Sequence, residues 1–479
     1  MSYGSQILRL LPEAILTVFG VAIMVADPLV RRKRALGYLA VGGLVAALLG
    51  AVLMVQQGWW GPAFSDHILN DPFAVFFRVL FLLIGLLVVC SSFDYLETNA
   101  IHHGEYYALV LFSIVGQGLM AASVELVMIF IGLEISSIAT YILAAFRTRD
   151  AKSSEAALKY FLLGSFATAF LLYGIALIFG ATGTTHLAAI RAALRAGPMG
   201  PMAAVAAALM FVGFGFKVSA APFQVWTPDV YEGSPSPVAG FMSAGPKAAA
   251  FAVFLRVYLT ALQPVEGWFW LLWVSALLSM CIGNFGALVQ TNIKRMLAYS
   301  SIAHAGYVLV AFAARSELGV AAVLFYMAAY AAMNLGAFIV VTHFGGEGER
   351  YVSIDDYTGL GHRQPALAAV LTIFLLSLIG IPLTGGFFGK FYIFQAALKA
   401  KLIGLTILGV LNSAVASYYY LRVIVVMYMR EPAPTSPPAA RVPGAISFVL
   451  SVAAIAVLYL GIFPGDVLQF ATRSAAFFR

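Results

Sequence analysis

Apolar runs close to the length of a membrane-spanning helix succeed one another along almost the whole chain, each closed by a short polar turn. A helix that crosses a bilayer needs about 20 predominantly apolar residues. On that basis spans are expected near 6–27, 35–56, 72–93, 105–122, 124–146 and 157–181. Further spans follow near 202–231 (interrupted), 235–262, 268–290, 295–314, 318–344, 366–399 (interrupted), 402–430 and 443–463. Hydrophobic residues make up 62% of the chain and charged ones 10%, against about a quarter charged in soluble domains. The expected fold class is an all-α polytopic membrane protein with about 14 transmembrane helices.

No separate soluble domain is expected. The longest polar connection, GGEGERYVSIDDYTGLGHR, is too short for one, and PAPTSPP at Pro432–Pro438 reads as a stiff linker before the last span. The first 27 residues contain Glu13 and no small-residue cleavage site ahead of the basic cluster, so they read as a retained span rather than a secretory signal. Arg31, Arg32, Lys33 and Arg34 follow that span, which puts their loop in the cytoplasm by the positive-inside rule. Arg147, Arg149, Lys152, Lys294 and Arg295 then fall on the same side, and both termini face outward. The acidic 94–105 loop and the outward Lys399 and Lys401 run against this count.

The composition also excludes several functions. The net charge of +7 comes from basic residues at span ends, which is topology and not a nucleic-acid surface. Cys90 and Cys281 stand singly in apolar runs, with no CxxC or Cys/His cluster. No iron–sulfur centre, zinc or covalent haem is therefore expected in this chain. A P-loop, a dinucleotide fingerprint and an HExxH are lacking too. Redox chemistry is left to partner chains.

Against this background, charges inside the spans carry the functional signal. Lys217, Lys247, Lys390 and Glu134 all lie within apolar runs, where a charge costs at least about 2.5–3.5 kcal/mol at mid-bilayer. Pro222 follows Lys217, Pro246 precedes Lys247, and Pro382, Gly385 and Gly386 precede Lys390. Proline removes a backbone donor and orphans a carbonyl, and broken helices survive in lipid only where they line a cavity or are packed in protein. A lysine beside such a carbonyl fits a hydrated pocket, the alternative being a side chain that snorkels to the interface.

Two readings of Glu134 stand: a lone protonated acid, or the partner of one of the lysines. If it pairs, moving the carboxylate switches whether the lysine holds its proton. His304 titrates near neutrality or is a hydrogen-bonded core histidine. Glu155 and Lys159 are spaced for a surface ion pair. Asp229 and Glu232 fit loop or cap positions, and Trp59, Trp60, Trp268 and Trp270 fit interfacial belts. Two interrupted spans beside lysines, FKVSAAPFQVWTPDV and IGIPLTGGFFGKFYIF, suggest a transporter built of repeats.

The run TNIKRMLAYSSIAHAGY resembles the signature of the antiporter-like subunits of respiratory complex I and of multi-subunit sodium/proton antiporters. PFQVWTPDVYEGSPSPVAGFMSAGPKAAAF and KYFLLGSFATAFLLYGIALIFGATGTT resemble the complex I members in particular, and the match covers nearly the whole chain. The resemblance implies two inverted five-helix repeats with interrupted helices, here 105–262 and 263–430. Residues 1–104 would precede them and 431–479 would hold the linker and last helix.

It also implies a buried polar axis, matched by the pair Glu134 and Lys217, a bridging Lys247, His304 and a terminal Lys390, with Lys159 the weakest match. A lysine at 390 sets the chain apart from subunit M, which has glutamate there. The function implied is proton translocation in the membrane arm of NADH-quinone oxidoreductase, in a bacterial inner membrane. FMN, iron–sulfur clusters and quinone would sit in partner subunits, with subunit M and small membrane subunits as neighbours. A sodium/proton antiporter subunit is the alternative, and a structural subunit whose charges only fix helix packing is a third.

Overall fold

The computed structural model describes residues 3–196, 200–265, 267–431 and 441–475, so the linker expected at Pro432–Pro438 lies outside the described residues. The chain opens with α1 (Tyr3–Ile7) and α2 (Leu11–Ala26), joined by a 3-10 turn, then α3 (Arg34–Gln56) and α4 (Pro72–Thr98). Next come α5 (Gly104–Ala122), α6 (Leu126–Ala144), α7 (Ala151–Thr182), the short α8 (Leu187–Ala196), α9 (Pro201–Val218), α10 (Thr227–Gly233) and α11 (Ser236–Arg256). After them run α12 (Trp268–Leu288), α13 (Ile293–Ala313), α14 (Glu317–Phe344), the short α15 (Leu360–Arg363), α16 (Pro365–Ile379), α17 (Gly385–Lys399) and α18 (Ile403–Met429). The last two are α19 (Gly444–Ile462) and α20 (Pro464–Ala475).

Among the described residues, thirteen helices are long and apolar enough to cross a membrane. The broken pair α16 and α17 supplies one more crossing, in agreement with the expected fourteen. Both interruptions fall where proline and glycine were read. Most boundaries lie within a few residues of the expected ones. The larger shift is α7, which begins at Ala151 because the Asp150 side chain accepts from the Lys152 amide and caps it. Its first three turns hold Lys152, Glu155 and Lys159, so hydropathy alone starts the span too late.

Nearly all of α11, α13 and α14 is buried, whereas α2, α7 and α18 each expose an apolar side. Helices apolar all round belong in a protein core or facing lipid. The three buried ones form the middle of the bundle, and two of them carry Lys247 and His304.

The two breaks are satisfied by different groups. After α9 the chain turns at Ser219 (φ 61); Ser279 Oγ accepts from the Ala221 amide at 2.8 Å and Ser275 Oγ donates to the Ala221 carbonyl at 2.5 Å. Trp226 Nε1 donates to the Phe216 carbonyl at 3.0 Å. After α16 the chain turns at Gly380 (φ 92), a conformation glycine adopts without penalty. The amide of Gly386 then donates to Ser377 Oγ at 3.1 Å.

Two helix starts also share a local device. Glu125 caps α6 and bridges to His186, while Asn292 caps α13 and bridges to Ser353.

Three features differ from expectation. A small antiparallel hairpin pairs Gly61–Ala63 with Ile68–Asn70, and α8 and α20 are short helices with one apolar face, too charged for a hydropathy reading. Trp268 is no belt residue: it is 1% exposed, donates to the Leu262 carbonyl and lies under the Arg315 guanidinium. Trp270, 64% exposed, does fit a belt.

At Gly386 an added Cβ would run into the Ser377 carbonyl oxygen, which is backbone and cannot swing away. Gly386→Ala is expected to destabilise the protein by at least about 3 kcal/mol. Gly404→Ala, with open space around it, should stay within about 1 kcal/mol of the parent. Thermal unfolding in detergent, read side by side, checks both.

Candidate functional site

The expected site residues divide into a buried group and one at the surface. On the first side, Lys217 closes α9 and its Nζ donates to the Tyr141 hydroxyl at 3.1 Å. The ammonium also lies 5.0 Å from the Tyr141 ring centre and 5.6 Å from that of Tyr160, within cation–π range. Glu134 does not touch it. Tyr141 is seven residues after Glu134 on α6, so the two share a face about 10 Å apart. The Glu134 Oε1 is buried with no hydrogen-bond partner. The direct Glu134–lysine pair of the sequence reading is therefore replaced by a tyrosine contact with the carboxylate two turns away.

In the middle, Lys247 is 2% exposed and donates to both the carbonyl (3.2 Å) and the hydroxyl of Ser301 on α13. One turn along α13, His304 uses both ring nitrogens: Nδ1 meets the Tyr326 hydroxyl, and Nε2 the Tyr420 hydroxyl at 3.1 Å. Tyr420 also meets Ser300 Oγ. His304 is thus a hydrogen-bonded core histidine, as one of its two readings had it, and it sits in the polar file.

Lys390 has the fullest set of partners. Its Nζ donates to the Leu378 carbonyl (3.0 Å), the Ile379 carbonyl (2.8 Å) and Ser413 Oγ (2.8 Å). An ammonium has three donors, so all are used. Two of the acceptors are the end carbonyls of α16, which lack helical partners and stand at the negative end of the helix dipole. The ammonium also lies 4.9 Å from the Tyr307 ring centre, one turn beyond His304.

Lys159 is elsewhere. Its side chain is 42% exposed and pairs with Glu155 and Asp229, each at 2.8 Å. Arg295 joins Asp229 (2.6 Å) and Glu232 (2.9 Å), and with Lys152 these residues line a surface cavity of about 190 Å³. The helical spacing of Glu155 and Lys159 pointed to this pair; Asp229 as a bridge between two cations was not read.

From Lys247 to Lys390 the side chains form a nearly continuous file through Ser301, Ser300, Tyr420, His304 and Tyr307. Between Lys217 and Lys247 the link is aromatic: Tyr160 stacks on Trp226 (4.6 Å between centres), and Trp226 meets Tyr231 edge-on (6.0 Å). The tyrosines and serines of the file were missed in the sequence, where a hydroxyl in an apolar span is too common to single out. Among the described residues, no group of three or more His, Cys, Asp or Glu stands close enough to hold a metal ion. An array of buried amines, phenols and one imidazole is suited to holding and passing protons.

The family described as NADH:quinone oxidoreductase/Mrp antiporter, TM, matches residues 123–416. NADH-quinone oxidoreductase subunit N 1 of Solibacter usitatus (strain Ellin6076) is 58% identical over 473 residues, covering 98% of this chain and 97% of that protein. Subunit N 2 of Koribacter versatilis (strain Ellin345) is 55% identical over 483 residues, covering 98% and 96%. Among solved structures, a chain of respiratory complex I from Thermus thermophilus with bound aureothin is 36% identical, with a TM-score of 0.81 over 96% of this chain and 98% of that one. A chain of the Mrp complex from Dietzia sp. DQ12-45-1b shares the fold, with a TM-score of 0.88 at 21% identity over 98% and 97%. The chain belongs to the NADH:quinone oxidoreductase/Mrp antiporter membrane family and, within it, to the subunit N group of NADH-quinone oxidoreductase.

Proposed function

We propose that this chain moves protons across the bacterial inner membrane as subunit N of the membrane arm of NADH-quinone oxidoreductase, driven by quinone reduction in other subunits. The observation that carries the reading is the row of lysines at 217, 247 and 390, set in the apolar region yet each met by hydroxyls or carbonyls. Lys217 is the switchable carrier, Glu134 its modulating charge, Lys247 the relay, His304 the continuation and Lys390 the gate toward the outer face. Lys159, with Asp229, lies at a mouth of the cytoplasmic side. FMN, iron–sulfur clusters and quinone belong to partner subunits, and subunit M and small membrane subunits adjoin this one.

The number of polar partners grows along the row, from a single hydroxyl at Lys217 to three acceptors at Lys390. Lys217 is held by the fewest hydrogen bonds of the three, its one acceptor being the Tyr141 hydroxyl. Carrying one charge against 100 mV takes about 2.3 kcal/mol. Bringing together or separating a buried carboxylate and ammonium changes energies by several kcal/mol, enough for that work. The paired broken helices and the matching caps at Glu125 and Asn292 support the two inverted repeats, 105–262 and 263–430. An even number of crossings and the basic 31–34 loop support a reading in which the first and last spans both open to the periplasm.

In the assembled complex, Lys217→Ala is expected to lower proton pumping at least about a hundredfold, the low end of the range for loss of a proton-transfer group. Tyr141→Phe, which removes one hydrogen bond to a charged group, should lower it about five- to tenfold. Fluorescence-dye quenching in proteoliposomes during NADH oxidation measures both, and wild-type pumping by Lys217→Ala would overturn the assignment. Lys390→Met orphans two carbonyls and should cost stability about 2–4 kcal/mol as well as pumping. Lys390→Arg, which keeps charge and donors, should recover most of the stability in the same thermal assay.

A further inference from the structure

Glu349 lies in the connection after α14 with a left-handed backbone (φ 55), next to Gly346 and Gly348 at φ 65 and 69. These turns fold the carboxylate inward until its side chain is 6% exposed. Oε1 accepts from the Tyr95 hydroxyl at 2.7 Å and from the Ser236 amide at 2.6 Å. Oε2 accepts from Lys294 Nζ at 2.6 Å and pairs with Arg147 Nη1 at 3.1 Å. Four segments meet there: α4, the turn after α6, the first residue of α11 and the second of α13.

The Ser236 amide is one of the donors a helix N-terminus leaves free, at the positive end of its dipole. Lys294 is fully buried and also donates to the Ser234 carbonyl at 2.6 Å. Burial pushes the Glu349 carboxyl up, but Lys294 and Arg147 outweigh it and hold the group below the usual carboxylate range. The other ionisable neighbours here are Tyr95, Glu232 and Tyr357. Around Lys247 they are His304, with Tyr231 and Tyr330 close to Ser301.

We propose that Glu349 is a positioning residue for proton transfer: it ties the first turn of α11, which carries Lys247, to that of α13, which carries Ser301 and His304, while its charge offsets Lys294 and Arg147. The inference rests on the reading that Lys247 passes protons. Lys247 lies about 16 Å along α11 from Ser236 at the rise of an α-helix. A unit charge at that distance, at an effective dielectric near 20, moves a titration by about half to one pH unit.

The test uses the intact complex in proteoliposomes, with pumping and NADH oxidation followed against pH for Glu349→Gln, Lys294→Met and the double variant. Glu349→Gln adds net positive charge, so a lysine along α11 releases its proton more readily and the pumping profile should move to lower pH by about half to one unit. Lys294→Met should move it to higher pH. The double variant keeps the parent's net charge and should return to the parent profile. A loop that merely braces the fold would leave all three profiles in place.

An unshifted profile in either single variant overturns the proposal, as does a double variant no nearer to the parent than Glu349→Gln. If Glu349→Gln prevents assembly, the Lys294→Met shift decides alone. Loss of pumping in Lys247→Met with unmoved profiles sinks this inference only; persistent pumping in Lys247→Met sinks the proton reading beneath it.

Discussion

An ammonium group taken into hydrocarbon must find acceptors there, and a chain of continuous helices has few to offer. Every interior carbonyl of an α-helix is already bonded, so acceptors come from hydroxyls or from helices that stop short. This chain uses both. Lys390 consumes the end carbonyls of α16 and a serine, Lys247 a serine on the facing helix, and Lys217 a tyrosine and ring faces. The break at Gly380 is thus tied to the lysine: without the stop in α16, the two carbonyls that hold Lys390 would be bonded within the helix.

The same requirement places charges on the best-buried helices. An apolar helix at the periphery can leave apolar side chains exposed, as α7 does with Phe161, Phe166 and Tyr173. A polar side chain there would have nothing to bond. In the middle, α11 and α13 are surrounded by other helices on all sides, and small residues let hydroxyl-bearing ones come close. Gly306, for example, packs against the backbone of Met280 and Ala276, where an added Cβ would crowd both. Close approach of α12 and α13 keeps Tyr307 and Asn284 in hydrogen-bond contact at 3.3 Å next to Lys390. Packing and polarity are therefore one arrangement.

Much of this was legible in the residues because hydropathy and proline act locally. The spans, both interruptions and the presence of Lys217, Lys247 and Lys390 within them follow from runs of a few tens of residues. Partner choice is not local. Whether Lys217 meets Glu134 or Tyr141 depends on where along α6 the end of α9 is docked, and the two candidates lie on one face. The partners of Lys390 include main-chain carbonyls, which no side-chain pattern reveals. Lys159 forms the surface ion pair its spacing suggested, because its helix starts earlier than hydropathy shows and leaves it in the charged first turns of α7. Glu349 was hidden by the opposite error: a glycine-rich polar connection reads as solvated, yet its left-handed turns carry one acid into the interior.

That inward acid changes how α11 and α13 depend on each other. Their contact at Lys247 and Ser301 lies within the apolar region. A single lysine–serine contact is a weak fastening against sliding, since a neutral or charged hydrogen bond nets only about 1–3 kcal/mol. At the N-terminal ends of α11 and α13 the fastening is stronger, because one carboxylate holds the α11 amide and the α13 lysine at once. Breaking a buried pair of this kind costs about 3–5 kcal/mol. Motion of α11 against α13 is therefore hinged at that end and freest toward Arg256, and Arg256 is itself held by Asp71 through two hydrogen bonds at 3.0 Å. One end of α11 is thus held by its amide on Glu349 and the other by the Arg256–Asp71 ion pair, which fixes the helix that carries Lys247 at both ends.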